Sequence, residues 1–283
     1  MAHVLRDIVG SLRASPIFGF YVMATLAVAG IIGLITFDVI NLGMAHFGEA
    51  NHRIHDVTYG LLFTTGVSGL LAQLRQPENN VAAMLMALVP AAALVLAAGM
   101  SGNVDAVVRS NPLRYAAAVT AVAALLHPTG RDFFASFSVS RVSWVMVGLV
   151  GVATVPLLGL ASTNLRLQET VTDSHRFMGH YGFMAAFSFA VMAVGVTASL
   201  RPDGWRRTAW VTGLLPALLG VTSLLYPNAS SSIGLGWSLT AISWGVVFVA
   251  AAVMAGDAPS PQALGARAAP SMSEPLAEGQ ATS

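Results

Sequence analysis

Residues 81–100 read VAAMLMALVPAAALVLAAGM, an unbroken run without a charged residue. An α-helix of about 20 apolar residues is long enough to cross the hydrocarbon core of a bilayer. Similar runs lie on both sides of this one. We predict eight membrane spans: Ile17–Met44, Asp56–Leu74, Val81–Met100, Pro112–Leu126, Val142–Ser162, His175–Leu200, Thr208–Tyr226 and Ile233–Ala255. The sequence therefore predicts an all-α, polytopic membrane protein.

The composition agrees with this fold class and excludes several kinds of chemistry. Of the 283 residues, 55% are hydrophobic and only 10% are charged, and the mean hydropathy is +0.70. A soluble domain carries about 25% charged residues, so we expect lipid to cover much of this surface. The absence of cysteine excludes disulfides and thiolate metal sites, and the absence of lysine excludes a Schiff base. No basic run suggests a nucleic-acid partner.

The distribution of charge and composition predicts the organisation of the chain in the membrane. Arginines are more frequent in the loops that lie inside when the N-terminus is inside. We therefore expect a multi-pass protein of the cell membrane, with the bilayer as its partner and both termini cytoplasmic. The expected parts are an N-terminal lead (1–16), a first four-helix half (17–130), a connecting segment (131–141), a second four-helix half (142–256) and a disordered tail (257–283).

An internal repeat relates the two predicted halves. In each half an arginine is followed 15 residues later by a proline, and a His-Arg pair opens the second span. The members are His52-Arg53, Arg75 and Pro90 in the first half, and His175-Arg176, Arg201 and Pro216 in the second. Four spans separate equivalent helices, so the halves have the same topology. The pseudo-two-fold axis is then expected along the membrane normal.

Histidines concentrate in two short stretches, residues 46–56 and 169–181, which both fall at the predicted outer face. Imidazole is the commonest metal ligand, and ionisable groups at a membrane edge are candidates for function. Such residues also anchor helix ends in the headgroup region, which is the structural alternative. The candidate metal ligands are His46, His52, His55, His175 and His180.

One interpretation is a non-haem site for zinc, iron or manganese. His52 and His55 are three residues apart and share a helix face, and Glu49, Glu169 and Asp173 are nearby carboxylates. On a regular helix His175 and His180 point about 140° apart. Both can ligate one ion only if the start of that helix is distorted.

The other interpretation is haem. His52 and His175 are the first candidates for iron ligands, with His55 and His180 as further cofactor-binding candidates. The adjacent Arg53 and Arg176 are placed to pair with propionates. Gly179, four residues after His175, would lie on the same helix face and leave room for the macrocycle. In the first half that position is Asp56, which could orient the ring of His52.

The segment Glu49-Ala-Asn-His52-Arg53, together with His175-Arg176, resembles the haem A synthase family. The resemblance implies two four-helix bundles related by pseudo-symmetry, with these motifs at the openings of the second and sixth helices. It implies that His52 and His175 ligate haem iron and that the arginines lie near propionates. Glu49 would be catalytic, close to the haem methyl that is oxidised.

The resulting functional expectation is an integral membrane haem-binding oxidoreductase with its site near the outer face. A redox partner or a larger membrane complex is then expected as its partner. The alternatives are a non-haem, metal-dependent membrane enzyme that uses the His/Glu/Asp cluster, and a transporter or accessory subunit.

Overall fold

The computed structural model describes residues 10, 22–32, 52–102, 111–129 and 134–256. These residues form helices joined by short turns, and no strand occurs among them. The α-helices are α1 (Val22–Ile32), α2 (Arg53–Gln73), α3 (Val81–Met100), α4 (Asn111–Leu125), α5 (Trp144–Thr170), α6 (Ser174–Phe177), α7 (His180–Leu200), α8 (Trp205–Leu225) and α9 (Gly234–Met254). The predicted all-α fold class is confirmed.

Within the described residues, five helices are long and apolar enough to cross a membrane, namely α3, α5, α7, α8 and α9. Two shorter apolar stretches, Val22–Ile32 and Arg114–Leu125, fall within predicted spans. Most of the first predicted span lies outside the described residues. A multi-pass membrane protein is therefore supported, whereas the number of eight spans stays a prediction.

Four helices, α2, α3, α7 and α8, form the centre of the molecule, and each of them contacts the other three. Two come from each predicted half. Their shared interior is filled by large buried side chains such as Phe63 from α2, Met84 from α3 and Phe187 from α7. Burial of such side chains stabilises the packed state by about 1.5–3 kcal/mol each where water is the alternative. The interface between the halves is thus part of the protein core.

The central position of α2 explains its polar composition. It is 21 residues long but is not among the five helices that are apolar enough to cross a membrane. Two thirds of its residues are buried by neighbouring helices, so its polar groups face protein. Thr58 donates a hydrogen bond to the Ile54 carbonyl at 2.6 Å, and Thr65 donates to the Leu61 carbonyl at 2.9 Å. Such bonds remove the cost of burying a hydroxyl.

The helices α5 and α9 lie at the periphery, where α5 packs on α7 and α9 packs on α8. Their outward faces carry exposed apolar side chains, including Val152 and Val155 on α5 and Val246 and Val247 on α9. A soluble protein rarely exposes contiguous apolar surface of this extent. These faces are suited to contact with lipid.

The backbone carries a trace of the predicted repeat. Gln76 and Arg201 follow α2 and α7, each directly before a proline, and both adopt left-handed conformations with φ of 51° and 54°. Prolines at equivalent places, Pro90 and Pro216, lie inside α3 and α8. A left-handed residue before a proline therefore occurs between the two central helices of each half, although residues 74–80 form the first connection and only residues 201–204 form the second.

The predicted start of the span His175–Leu200 is wrong, because the apolar helix begins at His180. The chain forms the short helix α6, breaks at Met178 and Gly179, and starts α7 at His180. Gly179 has a φ of 75°, a conformation that glycine adopts freely and other residues rarely do. The break positions the histidines of the second half, as described below.

Candidate metal centre

The first half contributes His52 and His55 from the start of α2. His52 is the N-cap residue of α2 and His55 lies in its first turn. Because the helix is regular here, residues three apart lie on the same face. His55 is only 1% exposed, which places its imidazole inside the protein at one end of the helix bundle.

The second half contributes His175 and His180 from either side of the helix break. Asp173 accepts a hydrogen bond from the Arg176 amide at 2.9 Å and caps the start of α6. Gly179 then redirects the chain before α7 begins. The two imidazole centroids lie 5.7 Å apart, although a regular helix would point them in different directions. The distorted helix start that a shared ion requires is therefore present.

The histidines of the two halves meet in one cluster. The His52 ring centroid lies 4.5 Å from that of His175 and 5.1 Å from that of His180. The His55 centroid lies 4.8 Å from His175 and 5.1 Å from His180. Four imidazoles, two from each half, therefore come together where α2 and α7 begin. We call His52, His55, His175 and His180 the histidine cluster.

Three members of the histidine cluster lie close enough together to hold one metal ion. One ring nitrogen from each of His52, His175 and His180 lies within 4.8 Å of the other two. Two ligands of one tetrahedral zinc ion lie about 3.3 Å apart when each is 2.0–2.1 Å from the metal. Side-chain movements of about 1 Å would bring all three nitrogens onto one ion.

The hydrogen bonding of the cluster also points to a ligand. Within the described residues, each of the four rings has one buried nitrogen without a hydrogen-bond partner: His52 Nε2, His55 Nδ1, His175 Nε2 and His180 Nδ1. A buried polar atom without a partner costs about 1–3 kcal/mol. Four such atoms at one site would destabilise the folded protein unless the nitrogens bind a shared ligand.

Asp173 connects the His175 ring to the surrounding protein. Its Oδ2 atom accepts a hydrogen bond from the Tyr181 hydroxyl at 2.7 Å and lies 3.5 Å from His175 Nδ1. The hydrogen bond from the Arg176 amide, followed by the bond from Tyr181, lowers the pKa of the Asp173 carboxyl. The carboxylate therefore faces Nδ1 of His175, while Nε2 is buried without a partner among the described residues. Carboxylate–histidine pairs of this kind occur in metal sites.

The loop between α8 and α9 reaches the cluster through two adjacent serines. Ser231 Oγ and His55 Nε2 share a hydrogen bond of 2.7 Å. Ser230 lies beside the Tyr181 hydroxyl, which is itself bonded to Asp173. Ser231 thus touches the histidine cluster directly, and Ser230 reaches it through Tyr181 and Asp173.

The other predicted site residues have different positions. The Arg53 guanidinium lies over the Tyr226 ring at 4.8 Å, and Arg176 Nη1 donates to the Val171 carbonyl at 3.0 Å. Glu169 is exposed on α5, while Asp56 is 6% exposed on α2. His46 and Glu49 lie outside the described residues, so their predicted roles stay predictions.

The position that the sequence suggested for Gly179 is wrong. It does not lie one helical turn from His175 on a shared face, because the helix breaks between them. Ser230, Ser231 and Tyr181 were not predicted at all. Ser231 is 176 residues from His55 along the chain, so no local pattern links the two.

No family model, curated protein or solved structure matches this chain in comparisons with known proteins. The resemblance to the haem A synthase family is therefore carried by the quoted motifs alone. Function has to be inferred from the geometry of the histidine cluster.

Proposed function

We propose that this chain is an integral membrane metalloprotein that holds one divalent transition-metal ion through His52, His175 and His180. The ion would lie at one end of the central bundle, between the two halves, and serve a metal-dependent enzymatic reaction. The observation that carries the proposal is the convergence of three ring nitrogens within 4.8 Å, where each ring has a buried nitrogen without another partner among the described residues.

The contacts between the rings favour a single ion over haem. A haem iron takes its axial ligands from opposite faces of a wide, flat macrocycle. The His52 ring instead lies 4.5 Å from the ring of His175 and 5.1 Å from that of His180, with His55 beside both of the latter. A macrocycle between them would require the starts of α2 and α7 to separate, whereas an ion needs only small side-chain movements.

The donor atoms indicate which ions fit. Imidazole nitrogen suits zinc, iron, copper and nickel, whereas magnesium, calcium and manganese prefer carboxylate and carbonyl oxygen. The carboxylate of Asp173 faces the ring of His175, and its Oδ2 atom is bonded to Tyr181. The converging donors are therefore nitrogens, and we propose zinc or iron as the bound ion.

The proposal is tested by elemental analysis and an absorption spectrum of the detergent-purified protein after loading with Zn(II) or, without oxygen, Fe(II). We expect one ion per parent chain and strongly weakened binding in His175→Ala. His127→Ala is the matched control, because His127 is also buried but lies near Gln73 at the other end of α2. Binding in His175→Ala with the affinity of the parent contradicts the proposal.

Further measurements on the same purified protein distinguish the proposed function from its alternatives. A Soret band that disappears in a His52→Ala/His175→Ala double variant would establish the haem expectation instead. Zinc flux into liposomes that requires the same histidines would favour transport. A chain that binds neither haem nor metal and co-purifies with a larger complex would be an accessory subunit.

A further inference from the structure

His55 has the features of a ligand, although it is not one of the three most convergent histidines. Its ring lies about as close to His175 and His180 as the ring of His52 does. Its Nδ1 atom is buried without a partner among the described residues. The other ring nitrogen, Nε2, shares the 2.7 Å hydrogen bond with Ser231. A ligating histidine almost always donates its second N–H to such a partner, which fixes the tautomer and the ring orientation.

The backbone conformation of Ser231 indicates that the fold maintains its hydrogen bond with His55. Ser231 has a φ of 64°, in the left-handed region that serine rarely occupies. Backbone strain of this kind costs about 1–3 kcal/mol and clusters at functional sites. The strained residue is the one whose hydroxyl reaches across to α2. Glycine would adopt this conformation without strain but would leave the imidazole of His55 without its partner.

We propose that His55 Nδ1 is the fourth protein ligand of the metal ion and that Ser231 is the residue that positions it. This inference rests on the proposed function, since it adds a ligand to the same site. Ser231 Oγ would accept a hydrogen bond from His55 Nε2–H, which holds the ring in the tautomer whose Nδ1 lone pair is free for the ion. Each half then supplies two nitrogens, His52 and His55 from the first and His175 and His180 from the second.

The fourth nitrogen determines which ion can support a reaction. Four imidazoles fill the coordination of a tetrahedral zinc ion, as the four ligands of structural zinc sites do. An ion that accepts six ligands would keep two positions for a substrate. We therefore expect a six-coordinate ion such as Fe(II) to support the reaction. Zinc would bind at the same site with all four of its positions filled by imidazoles.

The test uses X-ray absorption spectroscopy and competition with a chromophoric chelator on the full-length, detergent-purified protein loaded with Zn(II). The parent should show four imidazole nitrogens around zinc. Ser231→Gly should bind zinc about 10- to 100-fold more weakly and show three imidazoles with one oxygen. Because glycine relieves the left-handed strain, the thermal stability of the metal-free variant should be equal to or higher than that of the parent.

Ser232→Ala is the matched control, because Ser232 bonds the Ser223 carbonyl and not the cluster. It should keep the parent affinity and all four imidazoles. A parent spectrum with three imidazoles, or a Ser231→Gly variant with parent affinity, overturns the assignment of His55 while leaving the three-ligand site intact. A parent that binds no zinc or iron overturns the proposed function itself, so the two failures are distinguishable.

Discussion

Replacement of Gly179 by alanine tests whether the helix break builds the second half of the histidine cluster. Gly179 has a φ of 75°, and a Cβ added there would meet only Phe183 Cζ at 3.7 Å, which is ordinary contact. The substitution therefore introduces no clash, and its effect comes from the backbone. A left-handed conformation costs an L-residue with a Cβ about 1–2 kcal/mol.

An alanine at position 179 avoids this cost if its backbone leaves the left-handed region, so that α6 and α7 form one continuous helix. His175 and His180 would then point about 140° apart. Metal binding would have to restore the break at a cost of about 1–2 kcal/mol, which raises the Kd about 5- to 30-fold. The affinity of Gly179→Asn should lie between those of Gly179→Ala and the parent, because asparagine tolerates the left-handed region.

The assay is a Zn(II) titration against a chromophoric chelator with parent and variant proteins in the same detergent. Gly182→Ala is the matched control, since Gly182 lies just inside α7 and an added Cβ would meet nothing closer than Gln168 at 3.9 Å. It should bind zinc like the parent. Parent affinity in Gly179→Ala, or weaker binding in Gly179→Asn than in Gly179→Ala, would show that the left-handed glycine does not build the site.

Three further predictions concern other contacts. In Asp173→Asn the helix cap is kept but the charge facing His175 is lost, so zinc should bind about 10- to 100-fold more weakly in the chelator assay. Burial lowers the pKa of His127 from 6.5 to about 4, so the unfolded state binds more protons between these values. The free energy of unfolding should fall as the pH drops through this range, and His127→Gln should flatten that slope in unfolding measurements at pH 7 and pH 5. Gly213→Ala places a Cβ 2.6 Å from the Gly245 carbonyl oxygen, so α8 and α9 must separate. We expect the free energy of unfolding to fall by about 1–3 kcal/mol. The control Gly148→Ala has free space around the added Cβ and should leave the free energy of unfolding unchanged.

Much of the fold could be predicted from the sequence because hydrophobic length has a direct physical meaning in a membrane. The segment Val81–Met100 is a helix with the predicted bounds. The predicted repeat led to the expectation that two His-Arg pairs occupy equivalent places, and the structure brings His52 and His175 into contact. A sequence repeat indicates two halves related by an axis, and equivalent residues close to that axis lie close to each other.

The rest depended on conformations that hydropathy does not encode. The break between His175 and His180 needs one left-handed residue, and Gly179 was the available signal, since glycine favours such a conformation. The capping pattern of Asp173 before a short helix was a second signal. No local pattern could have joined Ser231 to His55, because their hydrogen bond spans 176 residues and depends on how α8 packs against α2.

If histidines from both halves hold one ion, a single substitution in either half must weaken metal binding. A zinc titration of His52→Ala, from the first half, and His180→Ala, from the second, measures this. We predict one site per parent chain and strongly weakened binding in both variants, with His127→Ala like the parent. Binding with the affinity of the parent in either cluster variant, or a parent chain that takes up no zinc or iron, would contradict a shared site.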